Sequence, residues 1–171
     1  HLGTLSLGGA ALVMTEMTDV NPVGRITAKC AGMYSDDNEA AMKRVIDFCR
    51  TYGVAKQGLQ IAHAGRKGST QTPAQGGKPL TPEEGGWKTQ APSALPFAPE
   101  WPAPEALSKQ GIKDLLAQWI AAVKRAERIG YDLIEVHGGH GYLVHQFLSP
   151  LSNQRADEYG GSLENRMRFP L

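Results

Sequence analysis

The string richest in chemistry is His137-Gly138-Gly139-His140-Gly141-Tyr142. Two imidazoles three residues apart converge if an extended chain gives way to a helical turn there, and the glycines leave room for a flat ligand above them. Imidazole N–H groups can hydrogen-bond an oxygen that gains negative charge, as an oxyanion hole does. A phenol with an ordinary pKa near ~10 can donate a proton as a general acid. The same histidines could equally be loop residues satisfied by backbone carbonyls. With His145 they could supply three nitrogen ligands to a metal. That pattern lacks the HExxH arrangement and has no carboxylate in an evident ligand role, so no metal is expected.

Other polar groups stand at comparable places. Glu16-Met17-Thr18 follows one apolar run, and Gln60, His63, Arg66 and Lys67 cluster at the end of another. The Gln60 carboxamide could hydrogen-bond a heterocycle or merely tie strands together. Arg66 and Lys67 could face an anionic ligand or be solvated loop residues. Trp87 and Trp101 could cover a pocket or pin a loop, while Trp119 belongs to a core pattern.

The elements that must position these residues alternate. Short apolar runs at 11–15, 58–62 and 131–136 read as strands, the first of them buried. Met42, Val45, Ile46 and Cys49 recur at helical spacing over 37–52, with Ser35 or Asp36 as cap and Gly53 as stop. Ile112, Leu115, Leu116, Trp119, Ile120, Val123 and Ala126 form the clearest amphipathic helix, ended by Gly130. Residues 2–7 could add a helix in front, and Ser162 is the expected N-cap of a last one. Two loops stand out: a Gly- and Pro-rich connection over 63–108, of a length that is usually functional or mobile, and a polar loop over 137–161.

Repeated βα units imply a parallel sheet with helices outside. Neither GxGxxG nor GxxxxGK[ST] occurs, so a doubly wound nucleotide-binding sheet has no support. The expected fold is α/β: a partial (β/α)8 TIM barrel with about three βα units, where a closed barrel typically needs ~250 residues. Chemistry in such barrels sits at the C-terminal strand ends, and four of the five histidines follow expected strands there.

Composition sets outer bounds. Hydrophobic residues make up 41% and charged residues 20%, an ordinary globular balance. With 18 basic against 17 acidic residues there is no field to attract nucleic acid or an anionic membrane. No apolar run approaches the ~20 residues of a membrane span. The chain opens without Met or a basic leader, so sequence is expected upstream and no signal peptide is visible. Two cysteines, Cys30 in a loop and Cys49 on a helix face, make a poor disulfide framework and point to a reducing, cytoplasmic compartment.

Together the strand-end strings resemble the Old Yellow Enzyme family of FMN-dependent ene-reductases, in its bacterial thermophilic-like branch. The matching strings are 12–16 with 21–25, then 60–67, 91–94, 137–143, 146–155, 157–162 and Asn165-Arg166. The resemblance runs in order through essentially the whole chain. It implies that 1–171 is a fragment of a single FMN-binding TIM-barrel domain. It implies an oxidoreductase that takes hydride from NAD(P)H and reduces α,β-unsaturated carbonyl or nitro alkenes. By resemblance, His137 and His140 bind the substrate oxygen and Tyr142 is the proton donor. Gln60 hydrogen-bonds the flavin and Met17 lies against it, where the family more often has a small residue. The stretch 148–166 is architectural, and the phosphate-binding loops lie outside this sequence. A small-molecule alkene is the expected partner, and a homo-oligomer is expected at full length. Two alternatives remain. One is the barrel domain of a larger dienoyl-CoA reductase or amine dehydrogenase with an iron–sulfur cluster; the other is an inactive truncated fragment.

Overall fold

The computed structural model describes residues 1–171. In chain order the elements are α1 (Leu2–Leu7), β1 (Leu12–Met14), β2 (Thr18–Asp19), α2 (Asp36–Tyr52), β3 (Lys56–Ala62), β4 (Gln90–Ala91), β5 (Glu105–Ala106), α3 (Lys109–Ile129), β6 (Leu133–Val136), α4 (Leu143–Leu148) and α5 (Leu163–Met167).

β3 is the middle of a parallel sheet. Met14 and Leu133 both pair with Gly58, so β1 and β6 lie on opposite sides of β3. β2 continues the β1 side, with Thr18 opposite Ile61 and Asp19 opposite Ala62. β1 and β2 thus form one stave, interrupted at residues 15–17. The interruption is stitched by Thr15, whose amide donates to the Gly58 carbonyl and whose hydroxyl accepts from the Gln60 amide. Three staves with helices between them form part of a (β/α)8 barrel, as expected. The short β2 was not expected, because two residues carry no periodicity.

Alternation along β3 separates two faces. Leu59 and Ile61 are fully buried and join a core with Ile112, Leu115, Trp119, Ala122 and Ala126 of α3. Burying the leucine and isoleucine side chains of this core stabilises by about 1.5–3 kcal/mol each. Gly58, Gln60 and Ala62 project to the opposite, concave face with Met14, Leu133 and Glu135. A side chain at Gly58 would collide with the Met14 thioether. Two expectations are corrected here. The first apolar run is not buried throughout, since Leu12 is 44% exposed. The helix faces are also narrower than their spacing implied, with Val45 37% and Ile120 55% exposed.

Local signals account for the helix limits. The Ser35 hydroxyl accepts from the Asn38 amide, and Asp36, Asp37 and Glu39 complement the dipole of the first turn of α2. Ser108 caps α3 in the same way, and Gly130 closes it at φ 94°, a conformation suited to glycine. Arg125 and Arg128 clamp Glu39 at 2.6 and 2.7 Å, tying α3 to α2. Ser162 caps α5 as expected.

The 63–108 connection is built of short 3-10 turns and a parallel ladder between β4 and β5. Arg155 fastens its base by donating to the Pro92 and Leu107 carbonyls while pairing with Asp157. The expected polar loop over 137–161 is corrected: it contains α4, whose Leu143, Val144 and Phe147 are buried. A six-residue helix gives too few turns for its periodicity to be read. Cys30 and Cys49 are free, the latter fully buried.

Candidate active site

At the end of β6 the chain turns sharply. His140 adopts φ 55° and Gly141 φ 72°, and Tyr142 becomes the residue before α4. A left-handed histidine is a strained position of the kind that collects at functional sites. The Lys67 ammonium holds the turn by donating to the His140 carbonyl at 2.8 Å. The same ammonium lies 4.9 Å from the Phe97 ring and 5.3 Å from the Tyr142 ring.

The turn brings the two imidazoles together. His137 Nε2 and His140 Nδ1 are 3.0 Å apart. The Gly139 amide donates to His137 Nδ1 at 3.1 Å, so neutral His137 carries its proton on Nε2. His137 therefore donates to His140. Burial lowers the His137 pKa, and its neighbour His140 lowers it further, so His137 is neutral at pH 7. The Tyr142 ring stands 4.9 Å from His137 and 6.0 Å from His140. Burial is the main cause raising the phenol's pKa, with Cys30 and Asp19 adding to it, so the hydroxyl keeps its proton at neutral pH. His145 is not part of this group: its Nδ1 accepts from the Gly141 amide at 3.0 Å.

Gln60 lies on the concave face one stave away. Its Nε2 donates to Glu135 Oε1 at 2.7 Å, across the register that pairs the two residues. Its carboxamide oxygen has no protein partner. Met17 is half-buried between β1 and β2. Arg66 turns away from the histidines, its Nη1 donating to the Leu95 and Pro96 carbonyls. His63 is buried and neutral, its pKa pushed down to about 3, and its Nδ1 accepts from Gly65.

Three contributors were not foreseen from sequence. Gln146, 1% exposed, donates to the Ala64 and Gly141 carbonyls at 3.1 and 2.7 Å and accepts from the Arg66 amide at 3.2 Å. It latches the loop after β3 to the turn after β6. Lys67 was expected to face an anionic ligand or be a solvated loop residue, not to hold the turn at His140. Asp19 is fully buried with both carboxylate oxygens unpartnered. Burial pushes its pKa up to about 8 against the opposing pull of Arg25. The one sequence signal for Gln146 was a polar residue inside the apolar string Leu143, Val144, Phe147.

Residues 2–171 match the model of the family described as NADH:flavin oxidoreductase / NADH oxidase. "NADH:flavin oxidoreductase FG08077" of Gibberella zeae is 45% identical over 175 residues, covering 100% of this chain and 42% of the relative. An NADPH dehydrogenase of Bacillus cytotoxicus is 41% identical over 169 residues, covering 99% and 44%. Among solved structures, morphinone reductase superposes with a TM-score of 0.83 at 30% identity, covering 99% of this chain and 47% of that one. Histamine dehydrogenase from Rhizobium sp. 4-9 superposes at 0.78 with 36% identity, covering 98% and 23%. The chain thus spans less than half the length of these relatives.

Proposed function

We propose, from the premise that this chain belongs to the NADH:flavin oxidoreductase / NADH oxidase family, that it forms the substrate end of an FMN-dependent site reducing activated alkenes with NAD(P)H. The observation that carries this reading is the convergence of His137 Nε2 and His140 Nδ1 at 3.0 Å beside the protonated Tyr142. An oxygen entering between the two nitrogens would receive both N–H groups, with His140 in its Nδ1–H tautomer. Donors so placed stabilise charge as it develops on a carbonyl or nitro oxygen. Tyr142 keeps the proton that the α-carbon would take.

FMN fits what lies beside the pair. The Gln60 carboxamide oxygen is free on the concave face, where it would accept from a flavin ring N–H, and Met17 would pack against the ring. When bound, FMN supplies the hydride. The chain's own groups orient the alkene, hold its oxygen and deliver the proton. The relatives' names fit this chemistry, an NADPH dehydrogenase and a morphinone reductase among them.

A second reading is favoured by the histamine dehydrogenase neighbour: the same barrel serving as one domain of a larger amine-oxidising or dienoyl-CoA-reducing flavoprotein. Stopped-flow kinetics on each half-reaction of the full-length protein decide between them. Under the ene-reductase reading, His140→Ala slows alkene reduction on the order of 100–1,000-fold and spares flavin reduction by nicotinamide. Tyr142→Phe slows only protonation. Equal slowing of both halves by His140→Ala, or of neither, rejects the oxyanion role.

A further inference from the structure

Gln60 and Glu135 are partners in the register between β3 and β6, and their side chains meet on the concave face. The Gln60 main chain is fixed by its amide, which donates to the Thr15 hydroxyl at 3.1 Å. Its side chain is fixed by the 2.7 Å donation from Nε2 to Glu135 Oε1.

The second bond does more than tie two strands. A carboxamide has nearly the same shape either way round, but one end donates and the other accepts. A carboxylate only accepts. Glu135 therefore sets which way round Gln60 stands, because the flipped carboxamide would put its oxygen against a carboxylate oxygen. With the Nε2 end held at Glu135, the Oε1 end is the one left without a protein partner on the concave face.

On the reading that Gln60 faces FMN, on which this inference rests, a fixed acceptor has one complement. The oxidised isoalloxazine carries a single ring N–H, at N3, between two carbonyl oxygens. Held as it is here, Gln60 accepts from that N–H. Turned round, it would donate to a neighbouring carbonyl and would not need the N3 proton. We propose that Glu135 is a positioning residue for the cofactor: by holding the Gln60 carboxamide one way round, it makes the site select ring systems that carry an N–H at N3.

The test titrates the full-length apoprotein with two flavins, FMN and 3-methyl-FMN, followed by flavin fluorescence. The readout is the ratio of their dissociation constants, in which a general loss of folding or a change of charge cancels. Glu135→Met keeps the length of the side chain and removes both acceptor oxygens. In this variant the preference for FMN is expected to fall about tenfold, the worth of a hydrogen bond to a charged group. In Gln60→Ala it is expected to fall at least as far, and adding Glu135→Met to that variant should change nothing more. A preference in Glu135→Met within about threefold of wild type, well short of the worth of that bond, overturns the proposal. So does an equal fall with and without Gln60, since Glu135 would then act by another route. Gln60→Ala separates the two readings. A preference unchanged there rejects the contact between Gln60 and FMN, and the proposal with it. A preference lost there but kept in Glu135→Met rejects the proposal alone. Glu135 is exposed and lies outside the core. If Glu135→Met nevertheless fails to fold by circular dichroism, Glu135→Lys takes its place. Lysine only donates, so it would hold the carboxamide the other way round, and an unchanged preference there overturns the proposal equally.

Discussion

Replacing Gln146 by Leu tests how the strand-end turns are held together. Leu nearly conserves volume, so the perturbation is the loss of hydrogen bonds rather than a cavity. Three backbone groups lose their partner: the Ala64 carbonyl at 3.1 Å, the Gly141 carbonyl at 2.7 Å and the Arg66 amide at 3.2 Å. Rotation cannot easily rescue them, because Gly65 packs directly against the Gln146 carboxamide. A buried group left unsatisfied costs about 1–3 kcal/mol. Allowing part of the loss to be recovered by water, the expected destabilisation is about 3–5 kcal/mol. At ~2–4 °C per kcal/mol this lowers Tm by about 10 °C in calorimetry of the full-length protein. Below that Tm the variant should also bind phenolate about tenfold more weakly, because the Gly141 turn that aims His140 is loosened. Gln146→Glu keeps the acceptor for Arg66 but sets a buried carboxylate against the Ala64 and Gly141 carbonyls, so at neutral pH it should be at least as destabilising as Leu. A Tm within about 2 °C of wild type would refute the latch.

Other outcomes follow from the same geometry. Gln60→Ala in the full-length protein should weaken FMN binding by about 1–3 kcal/mol, read by fluorescence titration; unchanged affinity would leave Gln60 as a strand tie to Glu135 alone. Asp19 has a folded pKa of about 8 against an unfolded value near ~3.9. Its neutral form therefore stabilises fully below about pH 4, and that contribution is lost as pH rises to about 8. Asp19→Asn should flatten this fall and gain a few kcal/mol at pH 8 in denaturant titrations; a parallel fall in the variant would count against it. A polypeptide of residues 1–171 alone should self-associate, because Leu12, Leu133 and Val136 at the sheet margins are 44%, 45% and 54% exposed. A monomer by sedimentation with one sharp melt would show otherwise.

Legibility from sequence followed the range of the interactions involved. α2 and α3 were readable because Ser35, Gly53 and Gly130 act within one turn of their own helices and the apolar spacing repeats several times. The three staves were readable as apolar runs, and the histidines as groups at their ends. β2 and α4 were not, being shorter than any period they could display. Asp19 was invisible because it is sandwiched between β3 and the segment at Ala31–Met33, a pairing that no local pattern sets; on its own strand it reads as a solvated carboxylate. The latch by Gln146 likewise joins residues 82 and 80 positions apart for its Ala64 and Arg66 bonds. The pairing of Gln60 with Glu135 required the register between β3 and β6, which no local pattern sets.

The bond between His137 and His140 also acts as a threshold. At rest the two rings satisfy each other, so any visiting oxygen competes with an occupant that never leaves. A typical hydrogen bond contributes about 0.5–1.5 kcal/mol net, enough to reduce a weak acceptor's occupancy several-fold. An oxygen that gains negative charge overcomes the contest most easily, since hydrogen bonds to a charged acceptor are roughly twice as strong. The pair thereby discriminates in time as well as between molecules. It resists a neutral oxygen more than the same oxygen once charge has gathered on it, and that difference lowers a barrier rather than deepening a resting complex.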